Sequence, residues 1–97
     1  MPRFSWRWEP ETRSYLPAYV LRYGKLDNLA SVVAAYELSN RQVGWYWVTG
    51  EAPDLGIQSR GGRHNAVGTS DEAKAAALAY VRGCMERAGI VKPRRQP

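Results

Sequence analysis

The side chains able to do chemistry are few and far apart in this 97-residue chain. His64 is its one histidine and Cys84 its one cysteine, so neither a multi-cysteine or histidine metal cluster nor an internal disulfide can form. A Cys84 thiolate activated by His64 would be a nucleophile. Cys84, however, falls on the apolar side of a helix-like stretch, where an inert packed thiol is the expectation. Glu9 and Glu11 lie in a Pro-bounded segment, and Asp71 and Glu72 are accounted for by helix capping. Gly61-Gly62 is followed by Arg63, not by the lysine and hydroxyl of a phosphate-cradling loop. The chain therefore reads as non-enzymatic, with no cofactor and no metal.

What remains is the chemistry of binding. Fourteen Lys and Arg against nine Asp and Glu give +5, a surplus that favours polyanions only mildly. Most of it falls in residues 70 to 97, which carry six cations and three carboxylates. Four Trp and six Tyr against one Phe favour half-exposed positions, where a flat body packs and a polar edge stays wet. The segment Ser59-Arg60-Gly61-Gly62-Arg63-His64-Asn65 reads as an exposed basic tip. Two arginines on a glycine hinge can grip phosphates, and the same composition also describes a solvated hairpin end.

The element that must organise these groups is a helix from Thr69 to Gly89. Thr69 and Glu72 have capping-box spacing, Gly89 supplies a left-handed stop, and Pro93 cannot continue a helix. At 100° per residue Ala73, Ala77, Tyr80, Val81, Cys84, Met85 and Ala88 share one face, with Leu78 at its edge, while Asp71, Glu72, Arg82 and Glu86 fall opposite. A face this rich in Ala can lie close against a sheet.

The sheet reads from three stretches. Ser14 to Tyr23 alternates, with Pro17 pushing it to an edge or starting it later. Leu29 to Leu38 carries Ala30, Val32, Ala34, Tyr36 and Leu38 as a set facing the helix, and Val43 to Thr49 follows a polar loop. Gly24 to Asn28 is a turn, and a short strand is expected around Leu55 to Ser59 in the Gly-rich loop. Residues 1 to 13 alternate Phe4, Trp6 and Trp8 with Ser5 and Arg7. That pattern fits an edge strand whose rings cover an open end of the core, or a basic aromatic arm. Residues 92 to 97 form a basic tail. The expectation is one α+β domain, residues 14 to 91, with a three- to four-stranded antiparallel sheet and one C-terminal α-helix packed on one face.

Strand alternation puts Trp45 and Trp47 on one face and Tyr46 and Val48 on the other. One helix cannot cover both. Either the tryptophans are core and Tyr46 is outside with some of Tyr15, Tyr19 and Tyr23, or the reverse; in both cases rings are expected on the uncovered side. No apolar run approaches the roughly 20 residues of a membrane span, and a lone cysteine suits a reducing compartment, so a soluble cytoplasmic protein is expected.

Gly44-Trp45-Tyr46-Trp47 and Asp71-Glu72-Ala73-Lys74-Ala75-Ala76-Ala77-Leu78-Ala79-Tyr80-Val81 make about half the chain resemble small proteins of bacteriophages and mobile elements, anti-CRISPR proteins among them. With Gly68-Thr69, the same order is similar to the three-stranded DNA-binding domains of ethylene-response factors and tyrosine-recombinase arms. The first resemblance implies an inhibitor in the bacterial host cell that docks on a host protein or nucleoprotein defence complex. The second implies direct DNA or RNA binding, although the sheet offers only Arg22, Lys25 and Arg41 as cations. Either way the expected contacts are Trp6, Arg7, Tyr19, Arg22, Tyr23, Arg41, Trp45, Tyr46, Trp47, Arg60, Arg63, Arg94 and Arg95. A virion or assembly component would instead reveal itself by oligomerising.

Overall fold

The computed structural model of the protein describes residues 5–37 and 41–92. Five antiparallel strands follow one another across a single sheet: β1 (Trp6–Pro10), β2 (Ala18–Tyr23), β3 (Ser31–Tyr36), β4 (Gln42–Thr49) and β5 (Arg60–Gly61). One helix, α1 (Ser70–Arg87), closes the fold and lies over β3 and β4. The architecture is α+β as expected. The aromatic N-terminal stretch joins the sheet as an edge strand, and two residues of the basic loop close the opposite edge.

Local chemistry explains the boundaries. β2 begins after Pro17, which lacks an N–H, while the Pro17 carbonyl still accepts from Ala34 N at 2.9 Å. No strand forms at Leu55 to Ser59. Pro53–Leu55 is instead a 3-10 turn with Pro at its first position, suited to a residue that cannot donate there, and pairing with β4 is postponed to Arg60–Gly61. At the start of α1, Thr69 Oγ1 accepts from Glu72 N at 3.1 Å. The Glu72 carboxylate meets the Thr69 hydroxyl at 3.0 Å rather than reaching back to a backbone N–H. The helix stops as the sequence predicts: Gly89 has φ +77°, Gly89 N donates to Glu86 O and Ile90 N to Met85 O, the paired bonds of a Schellman motif.

Register decides which face the helix covers. Trp6 lies across from Tyr23, Trp8 from Leu21, Tyr19 from Val32, Val32 from Trp47 and Ala34 from Trp45. All of these residues therefore share one face, and it is the covered one. Leu21, Val32, Ile57, Val81 and Met85 are fully buried with Ala73 and Ala77 of α1, while Trp6, Trp8, Tyr23, Trp45, Trp47 and Tyr80 pack around that cluster. Each fully buried large aliphatic side chain contributes roughly 1.5–3 kcal/mol.

Two sequence-based expectations change. Tyr19 and Tyr23 lie with the tryptophans, not outside with Tyr46, because their odd register matches Leu21. Arg82 and Glu86 are not on a solvated face. They form an i,i+4 ion pair of 3.4 Å with side chains only 25% and 20% exposed.

Because Ala77 is fully buried and Ala76 exposed, Ala77→Leu should destabilise by about 1–3 kcal/mol through overpacking. Ala76→Leu should stay within about 0.5 kcal/mol of the parent. Urea denaturation of both variants checks the helix face; equal effects would contradict it.

Candidate interaction edge along β4

The expected contact residues divide among three places. The first is the covered face, where the rings are joined in two stacks that clamp α1. On one flank Trp47 and Tyr80 have centroids 5.7 Å apart, and the Arg60 guanidinium carbon lies 5.5 Å from the Tyr80 ring centre. On the other, Trp45 and Tyr19 are 5.9 Å apart, and Lys74 Nζ stands 3.8 Å from the Tyr19 ring centre. Trp6 packs on Tyr23 with centroids 4.4 Å apart. Ring pairs and cation–ring contacts each add about 0.5–1.5 kcal/mol, so these aromatics hold the helix to the sheet. Of the two alternatives for β4, the one with the tryptophans against the helix holds, and Trp6 covers an end of the core; Tyr19 and Tyr23, which could have stood outside with Tyr46, lie with the tryptophans instead.

The second place is the reverse of the sheet. It carries Tyr46 as its one ring within the paired strands, with Arg7 opposite Arg22 at the β1–β2 end. Arg22 is held between two carboxylates, Nη1 at 3.1 Å from Glu9 Oε1 and Nε at 3.3 Å from Asp27 Oδ1. An arginine neutralised in this way has little charge left to offer a phosphate.

The third is the edge of β4. Residues 60–67 run along it as a strap. Gly61 pairs with Val48, Gly62 N donates to Trp47 O at 3.0 Å, and Trp45 and Val67 exchange backbone bonds of 2.8 and 2.7 Å. Thr49, buried among these bonds, donates to Gln58 O at 2.9 Å and accepts from Arg60 N at 3.1 Å. With its amide oriented to satisfy both ends, Asn65 accepts from the Trp47 indole at 3.2 Å and donates to Gly62 O. The basic tip foreseen as a free hairpin end is thus tied to β4 along its length.

This strap gathers cations from separate parts of the chain. Arg60 extends over Tyr80. Arg63 Nη2 donates to the carbonyl of Tyr36, and the adjacent Glu37 pairs with Arg41 at 3.7 Å. Arg41, Arg60, Arg63 and His64 are all exposed. They form a basic ridge along one edge of the sheet, and only Glu37 offsets it by a direct ion pair among the described residues. The spacing of Arg60 and Arg63 was legible in the sequence. The arrival of Arg41 was not, because it depends on the Arg63 bond to the β3 end. Arg94 and Arg95 lie outside the described residues.

Reactive groups do not converge. Cys84 is 3% exposed on the buried face of α1, whereas His64 stands on the strap. Concavities of about 280, 240 and 370 Å³ lie at the 27–31 and 48–57 loops, at Tyr23 with Ile90, and at the 10–19 turn, and neither His64 nor Cys84 lines them. Among the described residues no group of three potential metal ligands occurs, and no helix is long and apolar enough to cross a membrane.

The strap requires glycine where it touches β4. Gly61 has φ +88°, and a Cβ there would run into the Trp47 carbonyl oxygen. Gly61→Ala should cost about 2 kcal/mol or more through backbone strain and lost pairing, whereas Gly50→Ala meets nothing within 4 Å and should be near neutral. Amide exchange of Trp45 and Gly62 reads the strap directly, and unchanged protection in Gly61→Ala would contradict the arrangement. Comparison of the chain with family models, with curated proteins and with solved structures finds no match.

Proposed function

We propose that this is a non-enzymatic binding protein of phage or mobile-element type, acting in the bacterial cytoplasm by docking on a host protein or nucleoprotein defence complex. The observation that carries this reading is the group of exposed arginines Arg41, Arg60 and Arg63, of which Arg60 and Arg63 stand on the strap bonded to Trp45 and Trp47. Arginines fixed by a scaffold lose little freedom on binding and are favoured interface anchors. Catalysis has no support in the placement of His64 and Cys84.

The alternative, direct binding of DNA or RNA, draws on the same ridge. It is the weaker reading, because Arg22 is occupied by Glu9 and Asp27 and the tryptophans that would stack on bases lie against α1.

The doubly charge-reversed variant Arg60→Glu/Arg63→Glu tests the proposal. Hot-spot arginines contribute about 2 kcal/mol each, so capture of the defence complex from nuclease-treated bacterial lysate should fall at least about tenfold. Wild-type protein should shift neither duplex nor single-stranded DNA. A shift that weakens steeply with salt would give the site to nucleic acid, and undiminished capture by the variant would remove the ridge from the interface.

A further inference from the structure

β1 is the last strand on its side of the sheet. Just beyond its end Glu11 N donates to Ala18 O at 2.9 Å, in the same register that sets Trp6 opposite Tyr23. Because an antiparallel ladder alternates, Glu9 and Arg7 also turn their backbone groups toward β2, whereas Trp6, Trp8 and Pro10 turn theirs away. The far side of β2 agrees. Leu21, across from Trp8, donates to Ala30 O and accepts from Leu29 N, so its own groups face β3 rather than β1. The N–H groups of Trp6 and Trp8 and the carbonyls of Trp6, Trp8 and Pro10 therefore lie along an edge to which no described segment bonds. α1 lies over β3 and β4, away from it.

Charge on the same edge is incomplete in two complementary ways. Arg7 is exposed, stands opposite Arg22 and forms no ion pair among the described residues. Glu9 shares Arg22 with Asp27, two carboxylates to one cation, and its side chain is 40% exposed. A carboxylate accepts from several directions, so Glu9 keeps room for a second guanidinium. One strand thus carries a cation without an anion and, two residues on, a carboxylate in excess.

We propose that β1 pairs antiparallel with β1 of a second copy of the chain, about a two-fold axis at Trp8, so that two sheets join edge to edge. In this register Trp8 exchanges both backbone bonds with the partner's Trp8, and Trp6 N donates to the carbonyl of the partner's Pro10. Arg7 then stands directly opposite the partner's Glu9, and the symmetry makes that pair twice. The adjacent two-fold registers set Arg7 against Arg7 or Glu9 against Glu9, and like charges directly opposite are unfavourable. Side-chain charge therefore selects the one register. The half-buried rings of Trp6 and Trp8 continue on one face across the junction. Pro10 has no N–H to offer, which ends the pairing after the five residues of β1. So short an edge buries less area than a permanent dimer needs, and the association belongs to the weak, reversible class. The strap with Arg60 and Arg63 lies at the opposite edge of each sheet, so the dimer presents two of them, one at either end.

Sedimentation of the full chain tests this. The mass should rise from 10.9 kDa toward twice that value between about 10 μM and 1 mM. Over the same range amide exchange at Trp8 should slow in step with the dimer fraction, a reading that needs no variant. Arg7→Glu and Glu9→Arg, each with circular dichroism unchanged, should separately weaken self-association about tenfold, because each opposes two like-charged pairs. An equimolar mixture of the two variants should associate about as well as the parent, since arginine again faces glutamate at both positions. A monomer at every concentration would overturn the proposal. So would a dimer whose Trp8 exchange ignores concentration, a dimer indifferent to both charge reversals, or a mixture of folded variants that associates no better than its components.

Discussion

The structure depends on fitting one narrow helix onto a sheet face crowded with rings. Ala73 and Ala77 are fully buried against that face, with Val32 and Ala34 from β3 equally buried. Side chains this small let the helix backbone come down close to the sheet. The large rings then stand to either side, and the two stacks, Arg60–Tyr80–Trp47 and Lys74–Tyr19–Trp45, brace the helix laterally. In a chain of 97 residues the core is necessarily small. Flanking aromatics enlarge the buried apolar surface without requiring a second helix.

That arrangement determines what is left for function. Tryptophans engaged with the helix cannot also stack on a ligand. Lys74 above the Tyr19 ring and Arg22 between two carboxylates have structural work already. What remains outward is a basic edge made by a glycine-dependent strap and, across the sheet, the backbone edge of β1. The two lie on opposite edges of the sheet and have different chemistry, so they suit different partners.

Much of the fold was legible in the sequence. The 3.6-residue spacing of Ala73, Ala77, Val81, Cys84 and Met85 located the buried helix face, and Thr69 and Gly89 marked its ends. Alternation of Trp45, Tyr46 and Trp47 stated the problem of the two faces without solving it. Its solution depends on cross-strand register, Val32 opposite Trp47 and Ala34 opposite Trp45, which no local pattern specifies. The same limit hid the place of Tyr19 and Tyr23, and it hid the strap, because Arg63 meets Tyr36 across 27 residues of chain. Charge-pattern reasoning found Arg60 and Arg63 but overrated Arg22, whose carboxylate partners come from a neighbouring strand and a turn.

The central claim is that α1 covers the tryptophan side of the sheet and not the Tyr46 side. Proton–proton cross-relaxation in solution tests it most directly. The account predicts cross-peaks between the Tyr80 ring and the Trp47 indole, and between the Lys74 side chain and the Tyr19 ring. Cross-peaks from α1 side chains to Tyr46 and Val33 within the same molecule, in place of these, would contradict it.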